Sequence, residues 1–140
     1  MKDSLRPGIT HQLSFTLPEQ KMVPELYPEA PEFQTMPPVF ATGYMVGFLE
    51  WACLQSIIPH LDWPREQSVG THVDVSHEAA TPAGMTVTAR TRLIRVDGRR
   101  LLFEVECDDG VEIISRGTHE RFVIDTERFN AKAQKKKEQS

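Results

Sequence analysis

Between Val39 and Ile58 the chain carries a single charged side chain, Glu50. The part from Thr42 to Ile58, TGYMVGFLEWACLQSII, holds no proline and is closed by Pro59. It therefore reads as one helix over 42–58, with Thr42 placed to cap its start. A helix that is apolar on every side must be enclosed on most of them. A membrane span is the rival home for such a run, which is nearly long enough. A carboxylate in mid-span is costly, and Gly43, Gly47, Gln55 and Ser56 dilute the apolar surface. The helix is thus expected in a protein core, wrapped by a sheet or covered by a second subunit where the sheet leaves it open.

The rest of the chain supplies that sheet. Residues 8–17 read as a first strand. Four more segments of strand character follow the helix, at about 68–80, 84–96, 99–109 and 111–124. Asp97-Gly98 and Asp109-Gly110 mark turns between them, and an Asp-Gly pair is a strong hairpin signal. Residues 125–136 suit a short terminal helix, followed by a tail. Residues 18–41 contain six prolines, which argues for a long loop or lid with one short helix near Val23–Tyr27. One long helix with an antiparallel sheet is an α+β layer architecture, expected here as one domain over residues 1–140.

Composition narrows the function. The 140 residues carry a net charge of -4, which argues against a general nucleic-acid binder. The basic run Lys132, Lys135, Lys136 and Lys137 reads as a solvated helix end. Cys53 and Cys107 lack metal spacing and are expected as free thiols in a reducing cytoplasm. The opening MKDSLRPG has no signal-peptide apolar stretch.

Two lone polar groups on apolar surfaces stand out. Glu50 has Val46, Gly47, Cys53 and Leu54 as its helical neighbours, so no cation lies within reach on its own helix. In the strand Thr71–Ala80, alternation places Thr71, Val73, Val75, His77 and Ala79 on one apolar face. If the sheet wraps the helix, Glu50 and His77 are expected to meet and satisfy each other. An acid beside an imidazole in a partly dry site is general acid–base equipment. His72 and His77 are five apart and face opposite ways in a regular strand, so no metal site is expected. His11, His60 and His119 have no evident partner. Thr42 is either a helix cap or a hydroxyl that attacks or orients a reacting group. Thr42 and Glu50 lie roughly 12 Å apart along an unbroken helix. Joint action on one substrate then needs a substrate that spans the gap, or a site shared across a dimer.

The stretches VFATGYMVGFLEWAC (Val39–Cys53), VGTHVDVSHEAATPAGMTVT (Val69–Thr88), GTHERFVI (Gly117–Ile124) and ERFNAK (Glu127–Lys132) resemble the fluoroacetyl-CoA thioesterase family of hotdog-fold enzymes. The resemblance implies a hotdog fold, with the sheet curved around the central helix, and a homodimer that hydrolyses an acyl-CoA. It implies Thr42, Glu50 and His77 as the catalytic set, with Gly70 and Arg121 contacting substrate. On the residues alone, Gly70 could equally mark a bulge and Arg121 an exposed strand charge. The family also carries a hydrophobic lid. This chain has Phe33 there, and Met36 where a second phenylalanine is expected. Methionine fills space loosely, so a broader or different acyl specificity is expected.

The expected function is therefore hydrolysis of a short acyl-CoA thioester, without metal or redox cofactor, nucleic-acid partner or membrane. The rival readings are a hotdog hydratase or dehydratase, and a non-catalytic acyl-CoA-binding module.

Overall fold

The computed structural model describes residues 1–140. Strands β1 (Thr10–Thr16), β2 (Glu66–Val75), β3 (Thr86–Asp97), β4 (Arg100–Asp108) and β5 (Ile113–Asp125) form one sheet in the order β1-β3-β4-β5-β2. Every neighbouring pair is antiparallel. Both Asp-Gly signals fall at hairpin turns. Asp97 pairs with Arg100 around Gly98, whose φ is +60°. Asp109 accepts hydrogen bonds from the Val111 and Glu112 amides, both at 3.0 Å, and so closes the β4–β5 turn.

Helix α2 spans Thr42–Ile57 and lies across the sheet. Met45, Phe48, Leu49, Ala52, Cys53, Ser56 and Ile57 are its buried residues, the three-and-four spacing of a single stripe. They meet Val87, Ala89, Leu93, Leu101, Phe103, Ile114 and Val123 of the sheet in one core. Burial of Met45, Leu49 and Ile57 stabilises the layer by about 1.5–3 kcal/mol each. The opposite stripe of α2 is left open. Thr42, Gly43, Gly47 and Trp51 are exposed, and Glu50 and Leu54 are half-buried.

The sheet corrects the expected strand 68–80. β2 ends at Val75, so His77 belongs to the loop after it. Its register also shifts between Gly70 and His72, which leaves Thr71 as the extra residue of a bulge. The alternation assumed for Thr71–Ala80 does not survive that bulge, and Val73, expected inward, is 42% exposed. Further along, Gly117 is paired tightly with β2. A Cβ there would lie 2.0 Å from the Asp74 carbonyl oxygen, and its φ is +157°.

The proline-rich segment forms two single 3-10 turns, Glu19–Lys21 and Val23–Glu25, and a four-residue helix α1, Pro31–Gln34. The helix expected near Val23–Tyr27 is thus shorter, and α1 is an addition. The segment folds over the start of α2. Val23 N–H donates to Val39 O at 2.9 Å, and Ala41 N–H donates to Lys21 O at 3.0 Å. Helix α3, Thr126–Glu138, is capped by Asp125, which accepts from the Arg128 amide at 3.2 Å. It buries no residue, and its lysines face solvent.

Candidate active site

Thr42 does not cap the helix. Ala41 takes that position and Thr42 is the first helical residue, so its hydroxyl is free for another partner. That partner is His77: Thr42 Oγ1 lies 2.7 Å from His77 Nδ1. Backbone bonds fix both sides of this contact. Ser76 N–H donates to Arg116 O at 3.0 Å, Glu78 N–H to Ile114 O at 2.7 Å, and Phe40 N–H to Thr81 O at 2.8 Å. Thr81 in turn donates its hydroxyl to Asp109 at 2.8 Å, which ties this loop to the β4–β5 turn. The far nitrogen of His77, Nε2, is buried and has no hydrogen-bond partner. Burial pushes the imidazole pKa below its usual value. The ring is therefore neutral at pH 7 and able to accept a proton.

Glu50 meets a different set of residues from the one expected. Its Oε1 accepts from Arg121 Nη1 at 2.9 Å and lies 3.9 Å from His119 Nε2. Arg121 is only 4% exposed, which rules out the exposed-charge reading. Its Nε donates to Ser68 Oγ at 2.7 Å and its Nη2 to Ser68 O at 2.8 Å. Gly70 faces this cluster across the β2–β5 ladder. A Cβ on Gly70 would sit 2.7 Å from Glu50 Oε1 and 3.3 Å from His119 Cε1. Gly70 thus borders the bulge, as one reading of it expected, and also gives the carboxylate room.

Within the chain, then, Glu50 does not pair with His77. Thr42 and His77 form one cluster and Glu50, Gly70 and Arg121 another, separated along α2 by eight residues, roughly 12 Å of rise. The proline-rich segment expected as a lid packs against the start of α2. Phe33 of α1 stacks on Tyr27 with ring centroids 6.1 Å apart, and Leu26 packs over Gly43. Met36, just after α1, is 48% exposed. Cys53 is buried under the helix, and burial pushes its thiol up to about 12, so it is no nucleophile.

His119 and Ser68 were not singled out by the sequence reasoning. A signal for His119 was present: Gly117, His119, Arg121 and Val123 alternate along β5, and the apolar Val123 shows that this set faces inward. No comparable signal marks Ser68.

An antiparallel sheet packed over one long apolar helix defines a hotdog fold. A Thermus thermophilus thioesterase superfamily member shares it, with TM-score 0.85 at 24% identity over 98% of this chain and 96% of that one. Residues 24–127 match the family described as fluoroacetyl-CoA-specific thioesterase. A fluoroacetyl-CoA thioesterase from Streptantibioticus cattleyicolor is 52% identical over 97% of each chain. A solved mutant of a fluoroacetyl-CoA thioesterase in complex with acetyl-CoA superposes with TM-score 0.92, at 50% identity over 94% of this chain and 98% of that one. The chain belongs to the fluoroacetyl-CoA-specific thioesterase family, and it is an acyl-CoA thioesterase.

Proposed function

We propose that this chain hydrolyses a short-chain acyl-CoA in a cleft shared by two copies of itself. The observation that carries this reading is the division of polar groups along α2: a Thr42–His77 pair at its start, and a Glu50–Arg121 pair eight residues on. Val46 lies midway between Thr42 and Glu50. If two α2 helices pack antiparallel about a two-fold axis near Val46, Thr42 of one faces Glu50 of its partner. The uncovered stripe of α2, with open space around Gly47 admitting close approach, supports that packing. So does the free edge of β2, where residues 70–74 are all exposed. A dimer of this kind gives the partnerless His77 Nε2 a polar neighbour.

In that cleft His77 acts as base. The Thr42 hydroxyl donates to Nδ1, so the imidazole takes the proton as Thr42, or a water it orients, attacks the thioester carbonyl. The protonated ring then returns the proton to the departing thiolate. Where Thr42 is the nucleophile, a water deprotonated by His77 next attacks the acyl ester on Thr42, releasing the free acid and restoring the Thr42 hydroxyl. Gly70 and Arg121 line the side where the carbonyl oxygen gains charge. Glu50, with Oε1 held by Arg121, orients water or the imidazolium. Phe33 and Met36 belong to the lid over the acyl group. No metal or redox cofactor takes part, and the two free thiols suit a cytoplasmic setting.

Release of CoA from acetyl-, fluoroacetyl-, propionyl- and longer acyl-CoAs, followed with a thiol reagent, tests the proposal. Steady turnover of the short thioesters is expected, with loss of turnover in Glu50→Ala and His77→Ala. Parental rates in both variants would contradict it, and ligand binding without turnover would leave a sequestering module. With Met36 in the lid, little preference for the fluorinated acyl group is expected.

A further inference from the structure

The geometry points to His119 as a positioning residue that sets the direction of Arg121 Nη1, and through it the carboxylate of Glu50. This inference deepens the thioesterase reading of the site and rests on it. His119 is 2% exposed and sits on β5 two residues before Arg121. Its Nε2 lies 3.0 Å from Arg121 Nη1, and its Nδ1 lies 2.8 Å from the His72 carbonyl oxygen. A guanidinium only donates and a carbonyl only accepts. The first contact therefore requires a bare Nε2, and the second requires a proton on Nδ1. Both demands are met by one species, the neutral Nδ1–H tautomer, and by no other state of the ring.

The groups facing the ring pull both ways: Arg121 favours the neutral form, while Glu50, Glu120 and the His72 carbonyl favour the charged one. Arg121 and Glu120 come from β5, Glu50 from α2, and the His72 carbonyl from β2. Burial is the largest influence and, together with the Arg121 charge, keeps the ring below the usual imidazole pKa. A charged ring would turn its acceptor into a second donor aimed at Arg121.

The consequence falls on one nitrogen. Arg121 keeps Nε and Nη2 on Ser68 whatever occupies position 119. Only Nη1 is divided between His119 Nε2 and Glu50 Oε1. With one hydrogen fixed on the imidazole, the other is directed at the carboxylate. Without that acceptor the guanidinium plane loses its third anchor and can tilt about its two Ser68 contacts, carrying Nη1 with it, and Glu50, whose side chain is 36% exposed, loses its fixed orientation. The cost is expected in turnover and hardly at all in folding.

Three replacements separate the ring's two contacts. His119→Gln can place an amide oxygen where Nε2 stood and keep the acceptor for Arg121. His119→Asn keeps only a donor toward His72. His119→Leu keeps neither. Expected are kcat within about threefold of the parent for Gln and about 10–100-fold lower for Asn and Leu, the range for a misaligned reacting group. KM for acetyl-CoA is expected to stay nearly constant across the series. Equal losses in Gln and Leu, or losses that follow the melting temperatures, would overturn the assignment. A second readout does not depend on turnover. Long-range nitrogen–proton NMR of the parent at neutral pH should show His119 protonated at Nδ1 and bare at Nε2. An Nε2–H or doubly protonated ring overturns the proposal. A parent inert toward every thioester would sink the thioesterase reading alone, because the tautomer and the shift of the Arg121 side-chain resonance in His119→Asn would still decide the positioning claim.

Discussion

Replacing Gly70 with alanine inserts one methyl group at the tightest point of the site. The new carbon would lie 2.7 Å from Glu50 Oε1, whereas ordinary contact begins at 3.4 Å, so the carboxylate must retreat by about 0.7 Å. The other near atoms, His119 Cε1 at 3.3 Å and Arg121 Nη1 at 3.5 Å, need little or no movement. Glu50 is the end of a flexible chain, so it is the group that yields, and the 2.9 Å bond to Arg121 stretches or breaks. A misplacement of about 1 Å costs on the order of 100-fold in rate, so Gly70→Ala should lower kcat about 10–100-fold. Stability should fall by about 1–3 kcal/mol, because the buried Arg121 Nη1 loses an acceptor while the carboxylate itself reaches solvent. Thiol release gives the rate and a thermal melt gives the stability. A Gly70→Ala enzyme with parental kcat would refute the claim that Glu50 must lie against this glycine. A collapse of the melting temperature would refute the claim that the carboxylate is the part that moves.

Two other perturbations have equally definite outcomes. Burial lowers the His77 pKa, and the base must be neutral, so kcat/KM should fall with acid through a midpoint below the usual 6.5; a midpoint at or above that value would contradict the assignment of His77 as the base. The same shift links folding to pH. The unfolded chain binds the proton more readily, so this contribution is present above the unfolded pKa and is lost as pH falls through the folded one, which a urea series across that window will detect. Gly117→Ala places a carbon 2.0 Å from a backbone oxygen at a φ of +157°, where neither strand can yield cheaply. A loss of about 3 kcal/mol or more is expected in denaturant titration, and a loss below about 1 kcal/mol would show that β2 and β5 can part there.

The elements most legible in the sequence are those set by local chemistry. The uninterrupted apolar run closed by Pro59 gave α2 within one residue of its observed end, and the Asp-Gly pairs located both hairpins. What stayed hidden depends on contacts between distant parts of the chain. The bulge at Thr71 changes which β2 side chains face inward, and no residue there announces it beyond an ambiguous Gly70. Alternation therefore assigned His77 to a strand face, when a loop pinned to β5 delivers it to Thr42. Glu50 was expected to meet His77. Its partner proved to be Arg121, and the inward alternation of His119, Arg121 and Val123 was the clue that could have identified it. Thr42 satisfied a helix-cap pattern on paper, but Ala41 occupies that place and leaves the hydroxyl to His77.

The central claim is that one working site takes Thr42 and His77 from one copy and Glu50 from the other. Mixing inactive Glu50→Ala and His77→Ala proteins under conditions that exchange subunits tests it most directly. Random pairing makes half the dimers mixed, each with one intact site, so activity should return to about a quarter of the parental value. If each protomer supplies its own complete site, every site in the mixture carries a lesion. Activity would then stay at the level of the separate variants, and the shared cleft would be contradicted.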